Sequence, residues 1–419
     1  MFASVLLPIL LAVGGIYMLF KLRFFFFTHP LRTCGEIIES LKEPKARRNM
    51  FLALAGTLGV GNIVGVAVGI YIGGAGCVLW IAVSSVFASV LKYSECSCAA
   101  FFGNDRACGI PSVLSFVSRK NGKLLCGIYC ILGVFIALVM GGALQSQSIA
   151  SLLKLSFDIP KGCIAIVFLI LLFIFCSKGG EFLKKCTAVL VPIATLAYVL
   201  LAVVVIGANF QSIPRVFSDI FYGAFAPRGA VGGIGGFCIS SVFREGFSRG
   251  LLSNEAGAGT SSIAQSEMGG MPHKAGLLGM LEVVVDTLLL CTLSGVAILS
   301  CGRVEGICSG VDLLFATVGD KFGITSRLAL AFSVFVFAVS TVLCWLYYGR
   351  TYERMLIGKN KLFDSFFIFA VSFGVFVEER ILVLASDILL FFLTLLTMYA
   401  IIKCSDRIKA LSEFKIRTF

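Results

Sequence analysis

The chain has 419 residues, of which 58% are hydrophobic and 14% are charged, and its mean hydropathy is +0.99. Soluble domains carry about 25% charged residues, so this composition excludes a water-soluble globular protein and predicts an integral membrane protein. In a membrane protein, a net charge of +12 indicates first an unequal distribution of basic residues between the loops on the two sides of the membrane.

Apolar stretches near the roughly 20 residues that cross a bilayer recur along the whole chain. They predict eleven transmembrane helices, at about 4–20, 48–72, 76–101, 124–152, 162–177, 186–207, 229–251, 275–300, 328–349, 362–377 and 381–402. The first is not expected to be a cleaved signal peptide, because Lys21 and Arg23 follow its apolar run instead of preceding it. The predicted fold class is an all-α, multi-pass membrane protein.

The basic residues predict the orientation of these helices. With the N-terminus outside and the C-terminus in the cytoplasm, 26 of the 35 Lys and Arg residues lie on the cytoplasmic side and 8 on the outer side. This asymmetry follows the positive-inside rule, and the opposite orientation would invert it. The positive charge then faces the anionic headgroups of the plasma membrane and requires no nucleic-acid partner.

Catalytic and metal chemistry have little support in the sequence. His29 and His273 are the only histidines, and most of the 16 cysteines lie in apolar runs, where Cys packs as a small apolar side chain. Cys96 and Cys98 lack the two-residue spacer of a zinc site. We therefore expect neither an enzyme nor a cofactor.

Glycine is concentrated in two of the predicted helices. Helix 2 contains GTLGVGNIVG (56–65), and helix 7 contains GAVGGIGG (229–236). A Gly inside a helix costs about 1 kcal/mol relative to Ala, so these clusters indicate either unwinding or very close helix packing. Helices 2 and 7 are five apart, and a second block of five helices inserts upside down relative to the first. Interrupted helices at matching positions of inverted halves are typical of a transporter site near the bilayer midplane.

Several stretches also carry a family resemblance. They are GTLGVGNIVGVAVGIYIGGAG (56–76), VPIATL (191–196), RGLLSNEAGAGTSSIAQ (249–265), GMLEVVVDTLLLCTL (279–293) and FAVSTVLCWLYYGRTYERML (337–356). From about residue 6 to residue 403 the chain resembles the alanine or glycine:cation (sodium:alanine) symporter family. The resemblance implies import of a small neutral amino acid, alanine or glycine, coupled to Na⁺ by alternating access.

The resemblance implies a leucine-transporter-like fold with a five-plus-five inverted repeat and broken helices 2 and 7. Residues 1–47 would form an extra N-terminal helix and a cytoplasmic loop. The first five-helix repeat would span 48–208, and the second, inverted repeat 209–403. Residues 404–419 would form a cytoplasmic tail.

The resemblance further implies a sodium site between helices 2 and 9. Its ligands would be the carbonyls of Ala55 and Leu58 and the hydroxyls of Ser340 and Thr341. A hard cation requires several oxygen ligands at short range, which this set supplies. The alternative is that both hydroxyls bond to carbonyls of their own helix.

Small and polar residues of helices 2, 4 and 7, with aromatic neighbours, are expected to bind the substrate. The predicted residues are Thr57, Gly59, Gly61, Asn62, Gln145, Gly233, Gly235, Phe237 and Trp345. Gln145 matches the family glutamine of helix 4, whereas Gln147 replaces an asparagine. Ile234 replaces a family phenylalanine, so an aromatic wall is either lost there or supplied by Phe237.

Ionisable residues within the predicted helices are further candidates, because burying them in a membrane is costly. Lys92 and Glu95 can pair at i,i+3 in helix 3, Glu282 and Asp286 lie one turn apart in helix 8, and Asp387 lies in helix 11. Structural ion pairs are the favoured interpretation, and proton coupling through Glu282 and Asp286 or through Glu95 is the alternative. The alternative functions are a proton-coupled transporter of small amino acids and a non-transporting amino-acid sensor on the same fold.

Overall fold

The computed structural model describes residues 2–103, 108–118, 120–225, 241–302, 313–358 and 362–416. Within these ranges every regular element is a helix, and no strand occurs. The first α-helices in chain order are α1 (Phe2–Lys21), α2 (Phe25–Thr28), α3 (Pro30–Lys42), α4 (Pro44–Thr57), α5 (Gly61–Gly73), α6 (Cys77–Phe102), α7 (Gly109–Val117), α8 (Gly122–Phe157) and α9 (Lys161–Cys176). They continue with α10 (Gly180–Ala208), α11 (Ile213–Phe225), α12 (Ser241–Ser253), α13 (Ser262–Ser266), α14 (Pro272–Ser300), α15 (Ile324–Ile357), α16 (Leu362–Gly374) and α17 (Glu379–Ile416).

Short elements of other helical types complete this description. π-Helical stretches lie inside α8 (Ala137–Ala143) and α14 (Val284–Cys291), and a further π-helical turn covers Phe315–Gly319. A 3₁₀ turn covers Phe210–Ser212. π-Bulges within helices are often found at functional sites. The π-helical stretch of α8 ends two residues before Gln145, and that of α14 contains Asp286.

Seven helical segments of the described part are long and apolar enough to cross a membrane. They are Pro44–Gly73, which joins α4 and α5, Cys77–Phe102, Gly122–Phe157, Gly180–Ala208, Pro272–Ser300, Ile324–Ile357 and Glu379–Ser412. Leu6–Lys21, Lys161–Cys176 and Leu362–Gly374 are shorter apolar helices. Each of these segments overlaps a predicted span. The predicted span 229–251 is described only from residue 241.

Two helices extend beyond the limits that hydropathy predicts. α15 runs from Ile324 to Ile357 instead of 328–349, and α17 continues to Ile416 instead of ending at 402. The added turns contain polar residues such as Arg350 and Arg354 in α15. Hydropathy detects only the apolar part of a helix, whereas backbone hydrogen bonding continues through polar turns.

The first helix interruption separates α4 from α5 at Leu58–Val60. The N–H of Gly59 donates to the Thr57 carbonyl (2.8 Å) and therefore does not make the helical bond to the carbonyl of Ala55. The interruption lies within the glycine cluster at 56–65. The backbone there makes other bonds, since the N–H of Val60 donates to Gln145 and the N–H groups of Asn62 and Ile63 donate to the carbonyls of Gly59 and Val60.

A second interruption separates α12 from α13 at 254–261, a position where the sequence did not predict a break. The predicted break at 229–236 lies outside the described residues, as do Gly233, Gly235 and Phe237. The backbone at 254–261 turns through positive φ at Glu255 (52°), Gly257 (80°) and Gly259 (78°).

Residues 252–274 lie between the predicted spans 229–251 and 275–300, yet most of this segment is buried among the helices. Asn254, Thr260, Ser262 and Gln265 are each at most 1% exposed. The N–H groups of Gly257 and Gly259 donate to the same carboxylate oxygen of Glu95, at 2.9 and 3.0 Å. Because bonds from the surrounding helices satisfy part of this polar backbone, a non-helical segment can lie inside the bundle.

α12 and α14 approach α6 through glycine. The glycines at these contacts include Gly246, Gly250, Gly276, Gly279 and Gly295. A Cβ atom on Gly250 would lie 1.9 Å from the Ser84 hydroxyl, and one on Gly276 would lie 2.1 Å from the Ser97 hydroxyl. Small residues allow this close approach of helix backbones, which is typical of membrane proteins.

The amphipathic helix α3 is connected to the start of α14 by a chain of side-chain hydrogen bonds. The Glu36 carboxylate lies 2.8 Å from Nε2 of His273, and Nδ1 of His273 lies 2.7 Å from the hydroxyl of Tyr93 in α6. A carboxylate only accepts, so Nε2 donates to Glu36 and Nδ1 accepts from Tyr93. Arg32 also donates to Glu36 (3.1 Å).

Candidate functional site

A cavity of about 170 Å³ lies against the first interruption, between α4, α5, α8, α12 and α17. Its polar lining residues are Thr57, Asn62, Gln145, Ser148, Ser253, Glu255 and Ser386, and its charged ones include Arg249, Glu379 and Asp387. Sites for drug-sized ligands occupy about 300–1,000 Å³. The cavity is smaller than that and suits a small polar solute.

Gln145 connects α8 to the interruption. Its Oε1 accepts the N–H of Val60 (3.3 Å), and its Nε2 donates to the Met140 carbonyl (3.2 Å). A Cβ on Gly59 would lie 3.0 Å from Oε1 of Gln145, so glycine permits this approach. Gln147 does not line the cavity, and its Nε2 donates to Ser151 (3.1 Å).

The N-terminus of α5 opens onto the same cavity. Gly61 is exposed there, and a Cβ at this position would meet no atom within 4 Å. The N–H groups of Asn62 and Ile63 donate to the carbonyls of Gly59 (3.3 Å) and Val60 (3.2 Å), so Gly61 presents the N–H of this end to the cavity. The helix dipole also favours an anion there. This end of α5 can therefore receive a carboxylate.

Asn62 lines the cavity and joins three helices. Its side-chain amide donates to the Asp286 carboxylate of α14, and its Oδ1 accepts from Ser253 of α12 (2.8 Å). Ser253 and Thr287 also lie at 2.8 Å from Oδ2 of Asp286. The polar atoms of Asn62 are thus engaged within the protein, and Asn62 fixes α5 against α12 and α14.

The structure brings together some of the predicted sodium ligands. The Thr341 hydroxyl lies 3.2 Å from the Leu58 carbonyl and 2.9 Å from the Phe337 carbonyl, while the Ser340 hydroxyl donates to Phe337 (2.7 Å). Ala55 is fully buried in the last turn of α4. An oxygen of the interruption therefore meets a hydroxyl of α15 here, while both hydroxyls also bond to the Phe337 carbonyl of their own helix. Neutral oxygens of this type suit a hard cation.

Thr57 and Trp345 occupy different positions relative to the cavity. Thr57 lines it and donates its hydroxyl to Leu54 (3.4 Å). Trp345 is fully buried, donates to the Gly56 carbonyl (3.3 Å) and does not line the cavity. Its ring packs on Gly141, where a Cβ would lie 2.0 Å from the indole.

The ionisable residues of α6 and α14 form a buried cluster next to the second interruption. Nζ of Lys92 lies 2.6 Å from the Ser261 hydroxyl, 3.0 Å from Glu282 and 3.4 Å from Glu95. The predicted i,i+3 pair of Lys92 and Glu95 is confirmed. Glu282 joins this cluster, whereas Asp286 belongs to the hydrogen bonds around Asn62.

A second ionic network lies at the α4 end of the bundle. Lys184 contacts Glu267 (2.6 Å) and Glu181 (2.9 Å), Glu181 contacts Arg48 (3.5 Å), and the Tyr347 hydroxyl donates to Glu267. Arg48 precedes the first interruption, whereas the α5 residues that line the cavity follow it. The network therefore closes the end of the bundle opposite to the cavity.

Sequence reasoning missed several cavity residues, Arg249, Ser253, Glu379 and Ser386 among them, and Glu255 is the most deeply placed of the missed carboxyl groups. It is 3% exposed and lies in the second interruption. The only sequence signal is a carboxylate within the small residues of SNEAGAGT (253–260), since the hydropathy window assigned this stretch to a loop. The arrangement as a whole combines an interrupted helix, a cavity for a small solute and a set of converging oxygens.

Comparisons with known proteins agree with this arrangement. The family model described as "Sodium:alanine symporter family" matches residues 1–417. The sodium/alanine symporter AgcS of Methanococcus maripaludis is 28% identical over 78% of this chain and 74% of its own length. The sodium/proton-dependent alanine carrier protein of Bacillus sp. (strain PS3) is 29% identical over 77% of this chain and 75% of its own length.

Among solved structures, an outward-open Na⁺-coupled sialic acid symporter superposes with a TM-score of 0.52. It is 11% identical, and the match covers 98% of this chain and 86% of that chain, so it shows similarity of fold alone. The family model spans nearly the whole sequence. The chain belongs to the sodium:alanine symporter family and is a multi-pass membrane transporter of that family.

Proposed function

We propose that this protein imports a small neutral amino acid, alanine or glycine, together with Na⁺ across the plasma membrane by alternating access. The observation that carries the proposal is the 170 Å³ cavity at the interruption between α4 and α5. The names of the two alanine-carrying relatives support alanine as the first substrate to test.

In this proposal the substrate carboxylate binds at the N-terminus of α5, near Gly61. Gln145 orients the interrupted segment, and the amino group faces the carbonyls at the end of α12. Na⁺ binds the carbonyls of Ala55 and Leu58 and the hydroxyls of Ser340 and Thr341, and Ser340 reaches it by rotating its hydroxyl away from its own helix. Binding of both the amino acid and Na⁺ would stabilise the interrupted segments before the bundle undergoes the alternating-access movement.

The proposed architecture has eleven spans, an extra helix within 1–47, inverted repeats at 48–208 and 209–403, and a cytoplasmic tail from 404. The N-terminus lies outside in this proposal, as the distribution of basic residues predicts. The cavity then opens to the outside, and the network of Lys184 and Glu267 closes the cytoplasmic side. Four helical segments, α4–α5, α6, α12–α13 and α14, would rock against the others.

The driving force of one Na⁺ is sufficient for accumulation. Moving one charge across about 100 mV supplies roughly 2.3 kcal/mol, and a tenfold Na⁺ gradient adds about 1.4 kcal/mol. These terms together support accumulation on the order of 500-fold. Coupling to a single Na⁺ therefore supplies enough free energy for uptake against a concentration gradient.

Proteoliposomes provide the direct test. Uptake of radiolabelled alanine should require an inward Na⁺ gradient and should stop when choline replaces Na⁺ on both sides. Competition by unlabelled glycine, D-alanine and larger neutral amino acids then defines the substrate. Uptake that is indifferent to Na⁺ would refute sodium coupling.

The Thr341 hydroxyl supplies a more specific test of the sodium site. Thr341→Val keeps the side-chain shape but removes the oxygen near Leu58, and it should weaken the apparent Na⁺ affinity at least about tenfold, or 1.4 kcal/mol. Ser333→Ala is the matched control, because the Ser333 hydroxyl donates to Ala329 of the same helix (2.8 Å). Equal effects of the two variants on Na⁺ dependence would place the ion elsewhere.

Proton coupling is the second candidate, and the buried carboxyl groups of α6, α14 and the second interruption favour it. Uptake driven by a pH gradient in Na⁺-free medium would support it over sodium coupling. A non-transporting sensor would instead show thermal stabilisation by alanine without any flux. The same proteoliposome preparation separates these functions.

A further inference from the structure

Glu255 is a buried carboxyl group whose hydrogen bonding is incomplete. Its Oε2 accepts the Thr260 hydroxyl at 2.6 Å, while its Oε1 is buried and has no hydrogen-bond partner within the described ranges. The residue is 3% exposed and has a left-handed backbone (φ 52°), which a non-glycine residue rarely adopts. Such strained positions occur preferentially at functional sites.

The neighbouring buried carboxylates are better compensated. Asp286 accepts hydrogen bonds from Asn62, Ser253 and Thr287. Glu95 accepts two backbone N–H groups. One oxygen of Glu95 and one of Glu282 also lack a hydrogen-bond partner, but both carboxylates pair with the Lys92 ammonium, at 3.4 and 3.0 Å.

No cation compensates Glu255 in the same way. Lys92 donates hydrogen bonds to Ser261 (2.6 Å) and Glu282 (3.0 Å), and it forms a further ion pair with Glu95 at 3.4 Å. Arg249, on the cavity wall, lies 3.7 Å from Glu245. Within the described ranges no salt bridge reaches Glu255.

A buried carboxylate with one hydrogen bond and no adjacent cation is unfavourable, and such a group takes up a proton instead. We propose that Glu255 carries an exchangeable proton in this state and is the proton-binding group of the transporter. The inference rests on the proposed function and extends it, because it adds a proton to the Na⁺-coupled cycle.

The proton step is a simple transfer. A proton from the outer solution reaches Glu255 through the adjoining cavity, and an O–H bond forms at Oε1. The bond breaks when residues 254–261 become accessible to cytoplasmic water, and the proton leaves on that side. Thr260 belongs to the same segment, so it stays with Glu255 throughout the movement.

Other titratable and charged groups face this carboxyl from the surrounding helices and share its electrostatic environment. They are Lys92 and Glu95 of α6, Arg249 of α12, Glu282 and Asp286 of α14, Cys344, Tyr348 and Tyr352 of α15, and Glu379 and Asp387 of α17. Glu255 differs from the carboxylates among them because it combines burial, a cavity-lining position and an unpaired oxygen. A variant at this position therefore tests the assignment most directly.

The experiment uses the full chain in proteoliposomes that contain a trapped pH-sensitive dye. Alanine added outside under an inward Na⁺ gradient should acidify the lumen in the wild type. Glu255→Gln, which mimics the protonated acid, should lose the acidification completely, and an unfolding temperature without ligand close to that of the wild type should show that the variant is folded. Glu255→Asp keeps a titratable group and should retain the acidification.

Glu353→Gln is the matched control, because Glu353 is also buried (5% exposed) but accepts the N–H of Phe363 away from the cavity. It should acidify the lumen like the wild type. Acidification that persists in Glu255→Gln would overturn the inference. Na⁺-dependent alanine uptake without any acidification in the wild type would also overturn it and leave the proposed function intact. Absence of both Na⁺-dependent uptake and alanine binding in the wild type would instead refute the proposed function.

Discussion

Individual residues around the first interruption differ in the number of hydrogen bonds that they already make. Asn62 and Asp286 satisfy each other, whereas Gln145 holds the backbone of the interruption by one bond to Val60. A side chain whose hydrogen bonds are all made within the protein positions the site. A side chain that borders the cavity and can still make a hydrogen bond can also contact a solute. Gln145 has both properties.

Replacement of Gln145 should therefore weaken substrate binding. Gln145→Leu removes the acceptor for the Val60 N–H at the cavity, and we expect alanine affinity to fall at least about tenfold, corresponding to 1.4 kcal/mol. Gln147→Leu is the matched control, since Gln147 lies on the same helix and bonds to Ser151 away from the cavity. Alanine binding measured by scintillation proximity should separate the two variants, and equal losses would contradict the role of Gln145.

Single residues were also the scale at which sequence reasoning was weakest. Among the residues predicted to bind the substrate, Thr57, Gly59, Gly61, Asn62 and Gln145 line the cavity, whereas Trp345 does not. Glu255, which lines it, was not among the predicted residues. Residue type and helical spacing indicate which side chains are polar or aromatic at membrane depth. They do not determine which of those side chains face the cavity, because that depends on the rotation of each helix against its neighbours.

At the scale of elements, hydropathy locates the spans well because burial in lipid requires continuous apolar sequence. The interruption at Leu58–Val60 is also accessible to prediction, since glycine weakens a helix. The interruption at 254–261 is not, because its polar residues are typical of a loop exposed to water. They are buried through contacts with α6, α8, α14 and α17, most of which lie far away in sequence.

The glycines of α8 permit a test of close packing. Gly141→Ala would place a Cβ 2.0 Å from Trp345 and should destabilise the protein by about 1–3 kcal/mol. Gly127→Ala, on the same helix, would meet no atom within 4 Å and should leave the melting temperature unchanged or slightly raised. Thermal unfolding in detergent measures both, and a stable Gly141→Ala variant would contradict the packing described for Trp345.

The contact between α3 and α14 should depend on pH. Partial burial of Glu36 opposes its ionisation, but hydrogen bonds from His273 and Arg32 outweigh this effect and lower its pKa below the usual 4.5. Because the pKa is lower in the folded state, the stabilisation is present above about pH 4.5 and disappears as the pH falls through the folded value.

Glu36→Gln should therefore lower the melting temperature by about 1 °C at neutral pH, and the difference should vanish in acid. Thermal unfolding of the wild type and the variant over a pH series measures this. A difference that stays constant with pH would show that ionisation of Glu36 does not contribute.

For the whole molecule, the network of Lys184, Glu267 and Glu181 holds the end of the bundle opposite to the cavity. Glu267→Gln removes the charge that pairs with Lys184, so the population should shift toward a state open at that end. Hydrogen–deuterium exchange in α4 (Pro44–Thr57) should then increase. Asp320→Asn is the control, because Asp320 and Arg327 are both more than 40% exposed and such pairs contribute about 0–1 kcal/mol. Unchanged exchange in Glu267→Gln would contradict a closing role.

The glycine contacts of α6 have a mechanical consequence. Where Gly250 and Gly276 meet Ser84 and Ser97, only a small hydroxyl side chain lies between the backbones, so there is little side-chain volume to compress or to rearrange. A displacement of one of α6, α12 and α14 is therefore transmitted to the other two with little deformation of the contacts between them. The compliance of the protein then resides in Leu58–Val60 and 254–261, so the short segments that border the cavity are also its hinges.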